Sequence, residues 1–347
     1  MDQAHTKIIF FGTADFAAVI LNKLVEAKLS ILGVVTKPDQ PIGRKKILTP
    51  PLVKILAEKN KIPVFQPENL KIFKNDILPA ADIFITADYG QIISKKILAM
   101  PKFGALNIHP SLLPKYRGPS PIQTALLNGD METGVTIIKM DGKMDHGKII
   151  KNKKLIINNE DTFITLSEKL AKIGAGLLIK IMPEYIADKI KSKKQNHKKA
   201  TYTQMIRKED GLINCDKTSG EIYNQWRAYI KWPGIFIKAT KHQSNQPKKK
   251  ISPGRKEEPS GVKIIEQENI IKLLQVAIHG NIMTKKNIAS GKFFVENKKL
   301  LVKCGGETFL EILKLQPQDK KEMDAPSFIN GYMAVYLSPA FLGNVKP

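Results

Sequence analysis

Lys7-Ile8-Ile9-Phe10-Phe11-Gly12-Thr13-Ala14-Asp15-Phe16 is the stretch that decides the fold. Four apolar residues follow one lysine and stop at a glycine, the pattern of a buried strand entering a turn. Phe16, Val19, Ile20 and Leu24 then recur at helical spacing, with Asp15 placed to cap that helix. Outward from here the alternation repeats. Residues 31–36 read as a second buried strand. A helix begins near Pro51 and carries Val53, Leu56 and Ala57. Residues 82–87, 105–108 and 135–140 read as further strands, 148–157 as a hairpin partner, and 161–186 as a long amphipathic helix. This order predicts an α/β fold: a doubly wound, mostly parallel sheet with right-handed crossovers. Ligands in such sheets sit beyond the carboxyl ends of the strands.

The chain has 347 residues, enough for about two domains. A hydrophobic fraction of 42% with 25% charged residues excludes wholesale disorder. Lys and Arg number 56 against 32 Asp and Glu, giving a net charge of +24. That excess points to an anionic partner such as nucleic acid, with a generally lysine-rich surface as the plainer explanation. Only Cys215 and Cys304 are present, which excludes a disulfide-stapled domain and a Cys-x-x-Cys zinc site; no metal is expected. No run approaches the roughly 20 apolar residues needed to span a bilayer, and the N-terminal residues lack a signal-peptide pattern. The expectation is a cytoplasmic protein without a membrane partner, a monomer with no obligate protein partner.

The composition changes after residue 188. Lys191, Lys193, Lys194, Lys198 and Lys199 make residues 189–206 read as a solvated basic linker. Beyond Gly211 short strands are expected at 235–239, 262–265, 270–278, 293–296, 300–303 and 309–315. Their spacing suggests a small β-barrel over 207–347, with residues 246–258 as a mobile polar loop.

The turn Gly12-Thr13-Ala14-Asp15 is not Gly-x-Gly-x-x-Gly, and no Gly-Lys-Ser/Thr phosphate loop exists, so a nicotinamide or ATP enzyme is disfavoured. The densest polar cluster is Asn107-Ile108-His109-Pro110-Ser111-Leu112-Leu113-Pro114. Strand alternation puts Asn107 and His109 on one side. A carboxamide can steady an oxyanion, and an imidazole can move a proton near neutral pH. Asp141-Gly142-Lys143-Met144-Asp145-His146-Gly147 follows the fifth strand and can bring a carboxylate to orient His109. Adjacent side chains seldom converge, so His146 is placed outside the set. No Gly-x-Ser-x-Gly nucleophile motif is present. The constellation suits direct acyl transfer without a covalent enzyme intermediate.

These residues carry a resemblance. The stretch 107–114, Tyr116-Arg117-Gly118, Pro121-Ile122-Gln123, Gly134-Val135-Thr136 and Met144-Asp145-His146-Gly147 resemble the folate-dependent formyltransferases. Residues 10–16, 37–44, 63–67 and Trp232-Pro233-Gly234 are similar to the members that act on aminoacyl-tRNA. The resemblance implies a Rossmann-like formyltransferase domain at 1–188 and an oligonucleotide-binding-type barrel at 207–347. It implies 10-formyltetrahydrofolate as donor and the α-amine of methionine on initiator Met-tRNA as acceptor. Asn107 would then bond the formyl oxygen, His109 relay a proton, Asp145 hold His109, and Ser111, Leu112, Leu113 and Pro114 line the folate site. Arg44-Lys45-Lys46, in a loop stiffened by Pro38, Pro41, Pro50 and Pro51, would grip tRNA phosphates. Another acceptor (an amino sugar, a glycinamide nucleotide or water) and an RNA-binding protein without catalysis are the competing expectations.

Overall fold

A computed structural model of the chain describes residues 5–43, 45–70, 78–244, 264–280 and 288–333. It divides into two compact units, Met1–Met205 and Ile206–Pro347.

The first unit contains β1 (Ile8–Gly12), α1 (Asp15–Glu26), β2 (Ile31–Val35), β3 (Gln40–Ile42), β4 (Ile47–Thr49), α2 (Leu52–Lys59) and β5 (Val64–Phe65). It continues with β6 (Ile83–Ala87), α3 (Lys95–Leu98), β7 (Ala105–His109), α4 (Pro121–Leu127), β8 (Glu132–Lys139), β9 (Lys148–Ile156) and α5 (Phe163–Ile186). The sheet order is β5-β2-β1-β6-β7-β8-β9, parallel as far as β7 and antiparallel at β8 and β9. β1 is central and buried throughout, as its unbroken apolar run demands. A side chain at Gly12 would meet the Ala17 methyl at 2.6 Å and the Ala87 carbonyl at 3.0 Å, so the turn into α1 needs glycine. Ala14, rather than Asp15, occupies the N-cap; Asp15 lies in the first turn, where its charge favours the helix dipole.

α5 starts at a Thr162–Thr165 capping box. Its Leu166, Leu170, Leu178 and Met182 are fully buried, each worth roughly 1.5–3 kcal/mol of hydrophobic stabilisation. Gly174 lets this helix close on Ile108 and Val135: a Cβ there would stand 2.6 Å from the Ile108 Cγ2. One face of β7 is thereby committed to the core.

Strand–helix alternation alone predicts β8 parallel to β7, and it is antiparallel. α4 has seven residues, about 10 Å of helix, too short to return the chain to the start of β7. Residues 193–203 keep their lysines exposed, as expected, but are anchored within the first unit rather than hanging free as a linker. The Ile149 and Lys193 backbones pair, the Arg117 and Tyr202 backbones pair, and Gln195 is buried.

The second unit holds α6 (Ser219–Tyr229), β10 (Ile235–Ser244), β11 (Ile264–His279), β12 (Phe293–Glu296), β13 (Lys299–Lys303), β14 (Phe309–Pro317), β15 (Met323–Asp324) and α7 (Ala325–Gly331). Its sheet is antiparallel, ordered β10-β11-β14-β13-β12, with β15 on β14. The strands expected at 262–265 and 270–278 merge into β11, which shifts register between Leu273 and Val276. α6 was hidden behind the expectation of strands, although its Thr218–Glu221 capping box is visible in the sequence. Among the described residues no pairing joins β12 to β10. The loop at 246–258 lies outside the described residues.

Candidate active site at the end of β7

Ile108 faces α5, so Asn107 and His109 share the opposite face of β7, as a period of two requires. β8 runs back along β7 and ends beside its start, where the Met140 N–H donates to the Ala105 carbonyl at 2.9 Å. Asp145 is therefore not beyond a parallel strand's carboxyl end. The segment from Met140 to Gly147 climbs back instead. At Gly147 a Cβ would collide with the Lys139 backbone carbonyl, so the return needs glycine. Asp145 itself takes a left-handed φ of 47°, an uncommon conformation that Asp tolerates better than most residues. Its Oδ1 accepts from Asn107 Nδ2 at 3.3 Å and lies 3.5 Å from His109 Nδ1. Its Oδ2 accepts the Gly118 N–H at 2.8 Å.

Two groups that only accept, the Asp145 carboxylate and the Tyr116 carbonyl, fix the polarity of this cluster. The Thr86 hydroxyl, buried on β6, donates to Asn107 Oδ1 at 3.0 Å. A carboxylate only accepts, so Nδ2 must face Asp145, and its second N–H is the donor available to a substrate oxygen. His109 Nε2 lies 2.9 Å from the Tyr116 carbonyl. A carbonyl also only accepts, so Nε2 carries a proton and Nδ1 is the nitrogen that gains or loses one. The Tyr116 backbone, at φ 63°, is held by its own side chain. Its hydroxyl donates to Asp130 Oδ2 at 2.8 Å and accepts from Asn128 Nδ2 at 2.8 Å.

Of the remaining expected residues, Ser111 is tied to His109 through the main chain, its N–H donating to the His109 carbonyl at 2.9 Å. Ser111 and Leu113 are buried; the Ser111 hydroxyl donates to the Lys115 carbonyl at 2.6 Å and the Leu113 N–H to Thr136 Oγ1 at 3.1 Å. Leu112 and Pro114 are half-buried. Lys45 and Lys46 are exposed at the turn of the β3–β4 hairpin, and Arg44 lies outside the described residues. His146 turns from the triad to Asp141, at 2.6 Å, and stacks on His197 with ring centroids 4.0 Å apart.

A strand-borne Asn-x-His met by a carboxylate 36 residues beyond the histidine is the arrangement on which comparison with known proteins can be judged. The model of formyl transferase matches residues 6–182, and that of the formyl transferase C-terminal domain matches residues 205–333. The chain belongs to the formyl transferase family. Among members of this family, the methionyl-tRNA formyltransferase of Bacillus subtilis (strain 168) is 36% identical over 94% of this chain and 95% of its own length. That of Geobacillus sp. (strain WCH70) is 37% identical over 94% of each. The fold is shared with a solved N-formyltransferase from Helicobacter canadensis in complex with folinic acid and dTDP-3-aminofucose. That match has a TM-score of 0.58 and 21% identity, covering 88% of this chain and 98% of the other. The chain is accordingly an enzyme, a group transferase. Among the described residues no helix is long and apolar enough to cross a membrane.

Asn107, His109 and the Asp145 loop are reached from the sequence; Thr86 and Gln195 are not. Thr86 becomes visible only with the β6–β7 register, which sets it beside Asn107. Gln195 sits in a lysine-rich run whose composition hides it.

Proposed function

We infer that this protein transfers the formyl group of 10-formyltetrahydrofolate to the α-amine of methionine on initiator Met-tRNA. Similarity at 36–37% identity along nearly the whole chain to methionyl-tRNA formyltransferases supports the acceptor. The observation that carries the chemistry is the approach of Asp145 Oδ1 to both Asn107 and His109. The donor set fits a formyl group: one N–H to bond its oxygen, and one imidazole nitrogen and one carboxylate to handle a proton, with Asn107 and Asp145 half-buried and His109 buried.

In the proposed reaction the amine nitrogen forms a bond to the formyl carbon and the carbonyl pair moves to oxygen. Asn107 Nδ2 donates to that oxyanion. Asp145 and His109 Nδ1 together accept the proton that the amine loses, and Asp145 keeps the imidazolium in place while it is charged. His109 then returns the proton toward the departing folate nitrogen as the old carbon–nitrogen bond breaks. Ser111, Leu112, Leu113 and Pro114 would shape the folate site through backbone and the half-buried Leu112 and Pro114, because the Ser111 hydroxyl is spent on Lys115. Arg44, Lys45 and Lys46 would hold tRNA phosphates. The enzyme would act in the cytoplasm as a monomer, with residues 1–188 as its catalytic domain and 207–347 as its tRNA-binding domain.

Incubating the purified protein with Met-tRNA and the folate donor tests this reading. Formyl-methionine recovered after deacylation is the expected product. Donor turnover that ignores Met-tRNA but responds to an amino sugar, a glycinamide nucleotide or water overturns the acceptor.

A further inference from the structure

Gln195 is 5% exposed and uses both ends of its carboxamide. Nε2 donates to the Asp145 carbonyl and to the Gly147 carbonyl, each at 2.8 Å. Oε1 accepts from Arg117 Nη2 at 2.6 Å and Nε at 3.2 Å. Arg117 is 1% exposed, and its other side-chain bonds go to the Tyr202 hydroxyl and His197 Nδ1. The residue after Arg117 is Gly118, whose N–H holds the Asp145 carboxylate. Asp145 is thus gripped twice through one strut, at its main chain by Gln195 and at its side chain by the Gly118 amide next to Arg117.

We propose that Gln195 and Arg117 are positioning residues for formyl transfer. Their carboxamide–guanidinium pair sets the backbone of residues 145–147 and so the reach of the Asp145 carboxylate. The inference rests on the functional reading above. Asp145 meets Asn107 and His109 at 3.3 and 3.5 Å, long contacts that a small displacement removes. Its left-handed backbone needs outside support, and the two carbonyl bonds from Gln195 supply it. Arg117 in turn presents no proton acceptor, so it orients Oε1 and leaves Nε2 facing the loop.

The test is Gln195→Glu. The glutamate keeps its size and pairs with Arg117, so the overall fold is retained, but its second oxygen cannot donate to the two carbonyls and repels them, which releases residues 145–147. Expected is a fall of roughly 30-fold in kcat with KM for Met-tRNA and donor within about twofold. In an Asp145→Asn background the same change costs less than about threefold, because the carboxylate it serves is gone. Wild-type kcat in Gln195→Glu, or an equal loss in both backgrounds, overturns the strut. Amide hydrogen exchange gives a reading independent of activity. Residues 140–149 exchange at least about tenfold faster in Gln195→Glu while α5 stays protected. Unchanged exchange overturns the proposal even if the wild-type chain shows no transfer to Met-tRNA, an outcome that would sink the functional reading alone.

Discussion

The site at the end of β7 and the β3–β4 hairpin are built on opposite principles. Around Asp145 each of the three side chains is held by a partner: Thr86 for Asn107, the Tyr116 carbonyl for His109, the Gly118 amide and Gln195 for Asp145. The β3–β4 hairpin is a separate two-stranded sheet, with Lys45, Lys46, Ile47 and Leu48 exposed. Two strands alone are marginally stable in water. The hairpin is fastened at its base, where Asp39 meets Lys54 Nζ at 2.9 Å and accepts from Gln66 Nε2 at 2.8 Å. Gln66 and Lys54 together hold the Asp39 carboxyl below its usual range. Under the proposed function the contrast divides the work: the fixed groups would serve the chemistry, and the exposed lysines would meet tRNA phosphates by charge.

The sharpest break of this comparison comes from the fixed site. Asn107→Ala and Asp145→Asn should each lower single-turnover formyl transfer by about 10² or more, with tRNA binding retained. Near-normal turnover in both would remove the triad from the reaction. Thr86→Val is nearly isosteric and loses the hydroxyl that orients Asn107. A drop of about tenfold in kcat is expected, the cost of one lost hydrogen bond, read from steady-state kinetics. Equal activity in this variant would show that Asn107 orients itself.

How much of this was readable beforehand follows the range of the forces involved. The alternation of Asn107 and His109 is local geometry, and so was legible. So were β1 and β6, as short unbroken apolar runs, and α5, whose pattern is long and periodic. The direction of β8 was not, because strand direction depends on what α4 can span. Nor was the docking of residues 193–203. Four lysines dominate the composition there, whereas the anchoring is done by the buried Gln195 and Thr203 and by the backbones at Lys193 and Tyr202. Thr86 is a strand residue like any other until a neighbouring strand gives it Asn107.

The tRNA contact proposed for the hairpin is probed by charge. Lys45→Glu with Lys46→Glu should lower kcat/KM for tRNA roughly fivefold at low salt and leave kcat at saturating tRNA unchanged. It should also flatten the fall of activity with salt, since fewer counterions are released on binding. A loss confined to kcat would show that the hairpin serves the chemistry instead.

The smallest effect lies where a charge network touches the fixed site. His197 Nδ1 stands 2.8 Å from Arg117 Nη2. A guanidinium only donates, so this nitrogen must accept and the ring is neutral. Loss of water around the stacked ring, with His146 and Arg117 close by, holds His197 below its ordinary value of 6.5. Asp141 opposes this shift and Lys143 adds to it. The unfolded chain therefore takes up the proton first as pH falls below that value. Stability should decline with pH from about 6.5 down through the lowered folded value, then level off. Asp141 is also held low, so its own contribution falls at more acid pH and leaves this window clear. His197→Asn supplies an acceptor for Arg117 that does not titrate. Melting temperature followed between about pH 8 and pH 5 should fall less in the variant than in the wild type. The difference is small because the ring is exposed to solvent on its outer edge. Parallel curves would mean that Arg117 keeps its place without His197, leaving Gln195 and Tyr202 to hold it.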